Sequence, residues 1–267
     1  MLVAQLGTER IDAALAERGP EYHCPQCKGA VILKKGRKII DHFAHKPPTD
    51  CSWASGETRA HLEAKTLVAA ALIGRGLKAQ VEFVLNTLPG DRRADVMAWS
   101  PKGLQIAFEL QHTPIDLNEI ERRASSYAKA EVAQIWIPFL RTSVWKNGEA
   151  RKGGWFVERY SPRPFERWVH GFNGKHGMWM YDPDDKEFWL GRMTGHQIYV
   201  EETSWYSEGG EENTSGGFPR WSLRYKELML EGPHKAEKLL IKVEARRAFD
   251  KKGYHWPAGR VAHLTPA

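Results

Sequence analysis

The spacing of apolar and polar positions predicts alternating helices and strands in the middle of the chain. Residues 57–74 carry apolar side chains at helical spacing and end at glycine, which predicts a helix. A second helix is predicted over residues 114–130, with Asp116 as its N-cap. Alternating or wholly apolar runs predict strands at residues 79–86, 92–100, 104–111 and 132–139. The resulting α-β-β-β-α-β order favours an α/β fold of the α+β type, with a mixed sheet between helices.

The flanking segments differ in character, so we predict three regions, with boundaries at 1–54, 55–140 and 141–267. The first begins with a short strand and turn, or a brief helix, and it is too short to bury a sufficient core without a staple. The last holds eight of the eleven tryptophans, which either form the core of an accessory region or stack on unpaired bases. Its pattern predicts a hairpin over residues 178–193, a polar loop over 206–218 and an amphipathic helix over 233–252.

The cysteines in the first region have the spacing of a structural zinc site. Cys24 and Cys27 form a C-x2-C pair, and His45 and Cys51 follow with five residues between them. Two ligands on each of two turns can close a tetrahedron around Zn2+. His42 is an alternative nitrogen ligand. With four protein ligands, the predicted zinc is structural.

Charge adds a local signal. Lysine and arginine exceed aspartate and glutamate by 39 to 33, and the net charge of +6 permits nucleic-acid binding without requiring it. Residues 22–46 contain six basic side chains against one acidic side chain. Four of the basic residues form a candidate DNA-binding patch: Lys34, Lys35, Arg37 and Lys38.

The remaining composition limits the cellular setting. No apolar run approaches the ~18 residues of a membrane span, and the opening residues lack the pattern of a secretory signal. Three cysteines are not a disulfide framework. We therefore expect a cytoplasmic protein with no membrane partner.

Acidic residues interrupt two of the predicted apolar strands. Strict alternation places Asp95 on the opposite face from Ala94 and Val96. Glu109 and Gln111 share a face of the next strand. Because paired buried carboxylates are costly without a cation, they predict a divalent-metal site suited to phosphoryl transfer.

These motifs resemble the PD-(D/E)xK nuclease superfamily and, more narrowly, the CoiA-like competence family. The resemblance covers about residues 20–140 and rests on CPxC, HFAH, E-T-x-x-H-x-x-x-K, RxDV, ExQ and R-x3-Y in that order. It implies a restriction-endonuclease-like core, preceded by a zinc knuckle, that hydrolyses DNA with Mg2+ or Mn2+. Competence or recombination proteins are the implied partners.

The resemblance also implies individual roles. Asp95 and Glu109 would hold Mg2+, with Glu57 as a further ligand. Gln111 stands where the commonest form of the superfamily has lysine. The remaining implied roles are a compensating positive charge from His61 or Lys65 and phosphate contacts from Arg93, Arg123 and Tyr127.

Each role has a structural alternative. Glu57 could be a first-turn helix acid, His61 a core histidine and Lys65 a solvated helix lysine. Arg123 and Tyr127 could simply contact each other. At the level of function, the alternatives to a competence or recombination nuclease are a non-catalytic DNA-binding recombination factor and a defence endonuclease with the same chemistry.

Overall fold

The computed structural model describes residues 1–36, 39–51, 53, 57–86 and 92–267. Its helices are α1 (Arg59–Gly74), α2 (Leu117–Lys129), α3 (Thr142–Lys146) and α4 (Pro164–Asn173). The strands of the first half are β1 (Val3–Leu6), β2 (Glu9–Asp12), β3 (Tyr22–His23), β4 (Ala30–Lys34), β5 (His42–His45), β6 (Lys78–Leu85), β7 (Arg92–Trp99), β8 (Gln105–Gln111) and β9 (Ala133–Pro138). Those of the second half are β10 (Glu149–Arg151), β11 (Gly154–Tyr160), β12 (Met178–Asp182), β13 (Glu187–Val200), β14 (Thr203–Tyr206), β15 (Glu212–Ser215), β16 (Phe218–His234), β17 (Leu239–Arg246), β18 (Phe249–Lys251), β19 (Tyr254–Trp256) and β20 (Gly259–Pro266).

The centre of the fold is a six-stranded mixed sheet in the order β17-β20-β9-β8-β7-β6. Strands β6, β7 and β8 are antiparallel neighbours, whereas β8 and β9 run parallel, with α2 as the crossover. Every residue of β9 is buried, as its apolar run predicts. The predicted α-β-β-β-α-β order and the α+β class are confirmed.

The helices pack on this sheet through their apolar stripes. On α1, Val68 and Leu72 pack with Val96 and Phe108 of the sheet. On α2, Tyr127 packs with a second cluster that contains Met97. The two helices begin at side-chain caps, since Thr58 accepts a hydrogen bond from the His61 amide and Asp116, as predicted, accepts one from Asn118.

The first region forms its own five-stranded sheet in the order β2-β1-β3-β4-β5. Its small core includes Tyr22, Val31 and Phe43. The strand-and-turn alternative for the start of the chain is therefore correct.

The C-terminal half contains a second five-stranded sheet in the order β10-β11-β16-β13-β12. The hairpin predicted over residues 178–193 is confirmed as β12 and β13. Trp168 and Trp179 are fully buried, so they contribute to the core, whereas Trp205 and Trp221 are about half exposed, at 51% and 61%.

Two predictions for this half are wrong. The polar loop over residues 206–218 includes β15, which pairs with β14. The amphipathic helix over residues 233–252 is replaced by the end of β16 and by β17 and β18. In β17, Leu239, Ile241 and Val243 face inward and alternate with exposed residues, and the strand pairs along its length with β20.

Strands β17 and β20 complete the central sheet beside β9, so part of the chain beyond residue 140 belongs to that sheet. The predicted region boundaries at residues 54 and 140 stay predictions. In the described part of the chain, no helix is both long enough and apolar enough to cross a membrane.

Candidate active site and metal centre

Lys65 lies at the centre of a buried ionic cluster between α1 and the sheet. Its side chain is fully buried, and its ammonium nitrogen is 2.5 Å from Glu57 Oε1, 3.1 Å from Glu82 Oε1 and 3.3 Å from Asp95 Oδ1. Burial by itself lowers the pKa of Lys65, but the three carboxylates outweigh burial and raise it. Lys65 therefore stays charged and is not a solvated helix lysine.

Glu82 was not identified from the sequence, although it is the acidic residue of strand β6. It is 1% exposed and adopts a left-handed backbone conformation with φ 49°. Its Oε2 accepts hydrogen bonds from the amides of Leu2 and Val3, at 2.8 and 3.3 Å. Burial raises the pKa of Glu82, but Lys65 and Arg93 outweigh that effect and lower it to about 2. One ionised carboxylate therefore joins strand β1 to Lys65.

Asp95 is buried on β7 and is held in place from two sides. Its Oδ2 accepts a hydrogen bond from the Leu110 amide at 2.8 Å and lies 3.2 Å from His61 Nε2. Burial raises the pKa of Asp95, but His61 and Lys65 together hold it far below its ordinary value. Asp95 is thus an ionised carboxylate in a buried position.

The predicted alternation around Asp95 is wrong. Ala94 packs in the cluster of α2, whereas Val96 packs in the cluster of α1, so these two residues do not share a face. The physical reason is local, because Asp95 takes the amide of Leu110 and the pairing of β7 with β8 ends at Val96 and Phe108.

Glu109 is buried on β8 and is engaged by two residues of α2. Tyr127 donates a hydrogen bond to its Oε1 at 2.5 Å, and Arg123 forms an ion pair with its Oε2. Burial raises the pKa of Glu109, an effect that Arg123 opposes but does not cancel. Tyr127 is fully buried, so the structure does not place it where it could contact a phosphate.

An open cleft brings together most of the other predicted site residues. Its lining consists of Glu57, Thr58, His61, Arg93, Asp95, Leu110, Gln111, His112, Thr113 and Arg123. Glu57, His61 and Asp95 each offer one ligand atom, and these three atoms lie within 4.8 Å of one another. Arg93 Nη1 is buried without a hydrogen-bond partner, so this nitrogen can still take a ligand, whereas Glu57 Oε2 lies 3.6 Å from the amino group of Met1.

The other cleft residues have defined surroundings. Gln111 donates a hydrogen bond from Nε2 to the Thr113 carbonyl at 2.5 Å, which fixes its amide. His112 was not identified from the sequence and lies 3.4 Å from Thr58 Oγ1. Burial lowers the pKa of His112, so its imidazole is neutral at neutral pH and can accept a proton.

Cys24, Cys27, His45 and Cys51 converge in the first region as a Cys3His group that could hold a metal ion. Cys24 Sγ and Cys51 Sγ are 4.0 Å apart, close to the separation of about 3.8 Å expected for two thiolates on one tetrahedral zinc. Burial raises the pKa of Cys24 to about 11, so metal binding would release a proton there. His42 is not in the group, and its Nδ1 lies 2.9 Å from the Ile40 carbonyl.

The predicted basic patch is partly described. Lys34 is exposed at a second groove that also contains His42, Trp53 and Glu57, so this groove adjoins the cleft. Lys35 forms an ion pair with Asp41 at 3.1 Å. Arg37 and Lys38 lie outside the described residues.

Comparison with known families agrees with this arrangement. The sequence model described as "Competence protein CoiA, nuclease-like domain" matches residues 57–205, more than half of the chain. The chain belongs to the CoiA family. The CoiA N-terminal domain matches residues 5–54, which contain the Cys3His group, and the nuclease-like domain contains the cleft.

A curated CoiA relative supports the same assignment over a shorter stretch. Competence protein CoiA of Bacillus subtilis (strain 168) is 28% identical over 117 residues. That alignment covers 43% of this chain and 31% of the relative. No solved structure matches the chain.

The ionic role of Glu82 can be tested through the stability of the fold. Because the pKa of Glu82 in the folded chain is about 2, below its ordinary value of 4.5, its ionised form stabilises the fold above about pH 4.5, and this contribution is lost as the pH falls toward 2. We expect Glu82→Gln to lower the free energy of unfolding by about 3 kcal/mol at pH 7 and by about 1 kcal/mol at pH 3. Urea denaturation at the two pH values measures both differences.

Glu119→Gln is the control for this measurement, because it removes a more exposed ion pair with Arg122. We expect it to change the stability by less than about 1 kcal/mol. A Glu82→Gln difference that is the same at pH 3 and pH 7 would contradict the ionic role of Glu82.

Proposed function

We propose that this chain is a metal-dependent nuclease that hydrolyses DNA phosphodiester bonds during competence or recombination. The observation that carries the proposal is the cleft in the nuclease-like domain, where Glu57, His61 and Asp95 converge beside Arg93. The three residues offer ligand atoms for a cation, and the neighbouring Arg93 guanidinium has a nitrogen without a hydrogen-bond partner. A cation beside a guanidinium group suits a phosphodiester substrate, because both can bind phosphate oxygens.

The donor set fits a divalent cation. Carboxylate oxygens suit both Mg2+ and Mn2+, and the imidazole of His61 favours Mn2+ of the two. Asp95 and Glu57 would hold the ion. When bound, such an ion polarises the phosphoryl oxygen and lowers the pKa of an attacking water.

The side chains around the ion would have separate roles. Arg93 and Arg123 would bind the phosphate, and Gln111 would orient a water molecule. Lys65 would act as a positioning residue, because its ammonium pairs with Glu57 and helps to keep Asp95 ionised without lining the cleft. Exposed Lys34 would add a phosphate contact along the adjoining groove.

The resemblance implies that Glu109 is a metal ligand, but we propose a different role for it. Both of its oxygens are engaged, one by Tyr127 and one by Arg123. Its first role would be to hold Arg123 in position at the cleft. Direct metal binding would require Arg123 to release an oxygen.

In the first region we propose a structural Zn2+ held by the Cys3His group. Three thiolates and one imidazole are a donor set that zinc prefers, and they leave no position open for catalysis. The ion would stabilise a segment whose own core is small.

A second candidate function is a non-catalytic DNA-binding recombination factor. Gln111 favours it, because glutamine brings no charge to the position where the superfamily commonly has lysine. Cleavage activity separates this candidate from the nuclease, since both would bind DNA.

The nuclease proposal predicts that Asp95→Asn abolishes Mg2+- or Mn2+-dependent cleavage and leaves DNA affinity within about threefold. The reason is that this change removes a charged ligand while the arginines remain. Asp116→Asn is the matched control, because asparagine caps a helix as well as aspartate does, and it should cleave like the wild type. The assay uses single-stranded, duplex and forked DNA, and thermal melting checks folding. Wild-type cleavage by folded Asp95→Asn would refute the proposal, whereas DNA binding without cleavage by the wild type would favour the second candidate.

The role of Glu109 predicts a contrast between two variants. Glu109→Gln should bind Mn2+ as the wild type does but lose DNA affinity, because Arg123 is released from its ion pair. Asp95→Asn should lose Mn2+ binding. Calorimetric titration with Mn2+ and a fluorescence DNA-binding assay measure the two effects. An equal loss of Mn2+ binding in both variants would show that Glu109 is a metal ligand.

The zinc proposal predicts about one tightly held zinc per chain purified without added metal. Cys24→Ser should lose it and melt at a lower temperature, because a buried ligand is removed. His42→Ala should keep it, since His42 is outside the group. Elemental analysis measures the zinc content of each variant. Zinc that is lost from His42→Ala and kept by His45→Ala would show that the ligand is His42.

A further inference from the structure

A second cluster of metal-binding side chain types lies at the far end of the central sheet. His176 is in the turn that follows α4, Glu244 is on β17 and His263 is on β20. Strand β17 pairs with β20 so that Glu244 opposes Val261, two positions from His263 along the same face. The fold thus brings together residues from three separate parts of the chain.

The geometry of this cluster is close to that of a shared ligand sphere. His176 Nε2 and Glu244 Oε1 are 3.0 Å apart, near the value of about 3.3 Å expected for two ligands on one tetrahedral zinc. The rings of His176 and His263 stack with centroids 3.6 Å apart. One ligand atom from each of the three residues lies within 4.8 Å of the other two.

An independent observation points to a ligand at the same place. His263 is 5% exposed, and its Nδ1 is buried without a hydrogen-bond partner. Such an unpaired nitrogen costs free energy that a bound ion or a proton partner would recover. His176 and Glu244 are more exposed, so an ion could enter from solvent.

We propose that His176, Glu244 and His263 bind a divalent transition metal of the zinc class. Two imidazoles and one carboxylate are a borderline-soft donor set that suits such ions better than Mg2+ or Ca2+. The ion would fasten the strand pair β17–β20 to the turn after α4, and the stacked rings would open so that both nitrogens face it. This site is separate from the nuclease cleft and does not depend on the proposed function.

The number of bound zinc ions tests this site. We expect folded Glu244→Gln and His176→Gln chains, equilibrated with Zn2+ and freed of excess ion by gel filtration, to hold one zinc fewer than the wild type. His255→Gln is the matched control, because His255 Nδ1 lies 2.6 Å from Asp250 Oδ1 and the described residues offer that pair no third ligand. It should hold as much zinc as the wild type.

Cobalt distinguishes this site from the cysteine site. Thiolate ligands give Co2+ an intense near-ultraviolet charge-transfer absorption, whereas a nitrogen and oxygen site gives only visible d–d bands. In the Cys24→Ser background, Co2+ should give d–d bands that Glu244→Gln weakens and the control variant His255→Gln does not. Glu244 has a half-exposed side chain, so Glu244→Gln should fold even if His176→Gln does not. Equal zinc content and equal d–d absorption in the Glu244→Gln chain and its parent would overturn the proposal.

Discussion

The ammonium group of Lys65 is the charge on which the arrangement of the cleft depends. At the 3.1 Å between Lys65 and Glu82, two unit charges attract by about 5 kcal/mol even at an effective dielectric constant of about 20. Lys65 forms ion pairs with Glu57, Glu82 and Asp95, whereas Arg93 is paired with Glu57, so loss of Lys65 would remove the cation that the three carboxylates share. The carboxylates that face the cleft are therefore held by a residue that does not itself reach it.

The same cluster connects the cysteine-containing region to the cleft. Glu82 accepts the amides of Leu2 and Val3 with one oxygen and contacts Lys65 with the other. Trp53 stacks under the Arg93 guanidinium, which lies 4.7 Å from its ring. Direct contacts therefore join the first region to Arg93 and, through Glu82, to Lys65. On this basis, a metal in the Cys3His group would stabilise one wall of the cleft as well as its own sheet.

Much of the fold could be predicted from periodicity, because α1, β6–β9 and α2 each bury one face or both. The cleft residues Glu57, His61 and Asp95 could be found from motif spacing. Glu82 could not, since a single acid in a strand shows its role only when Lys65 and β1 are placed beside it. The helix predicted over residues 233–252 was wrong because β17 is defined by pairing with β20, a partner that a local pattern does not contain. The Glu109 ion pair with Arg123 likewise depends on how α2 crosses the sheet.

The charges around the cleft indicate which role Gln111 can have. For a nuclease acting in this cleft, the charge that a lysine would bring must come from another residue. Lys65 cannot provide it, because three carboxylates engage its ammonium. Arg93 can, because its Nη1 has no partner although its Nη2 bonds Glu57. Gln111 then does not need to supply a positive charge. Because its Nε2 donates a hydrogen bond to the Thr113 carbonyl, its amide oxygen is the group that can accept a hydrogen bond from water.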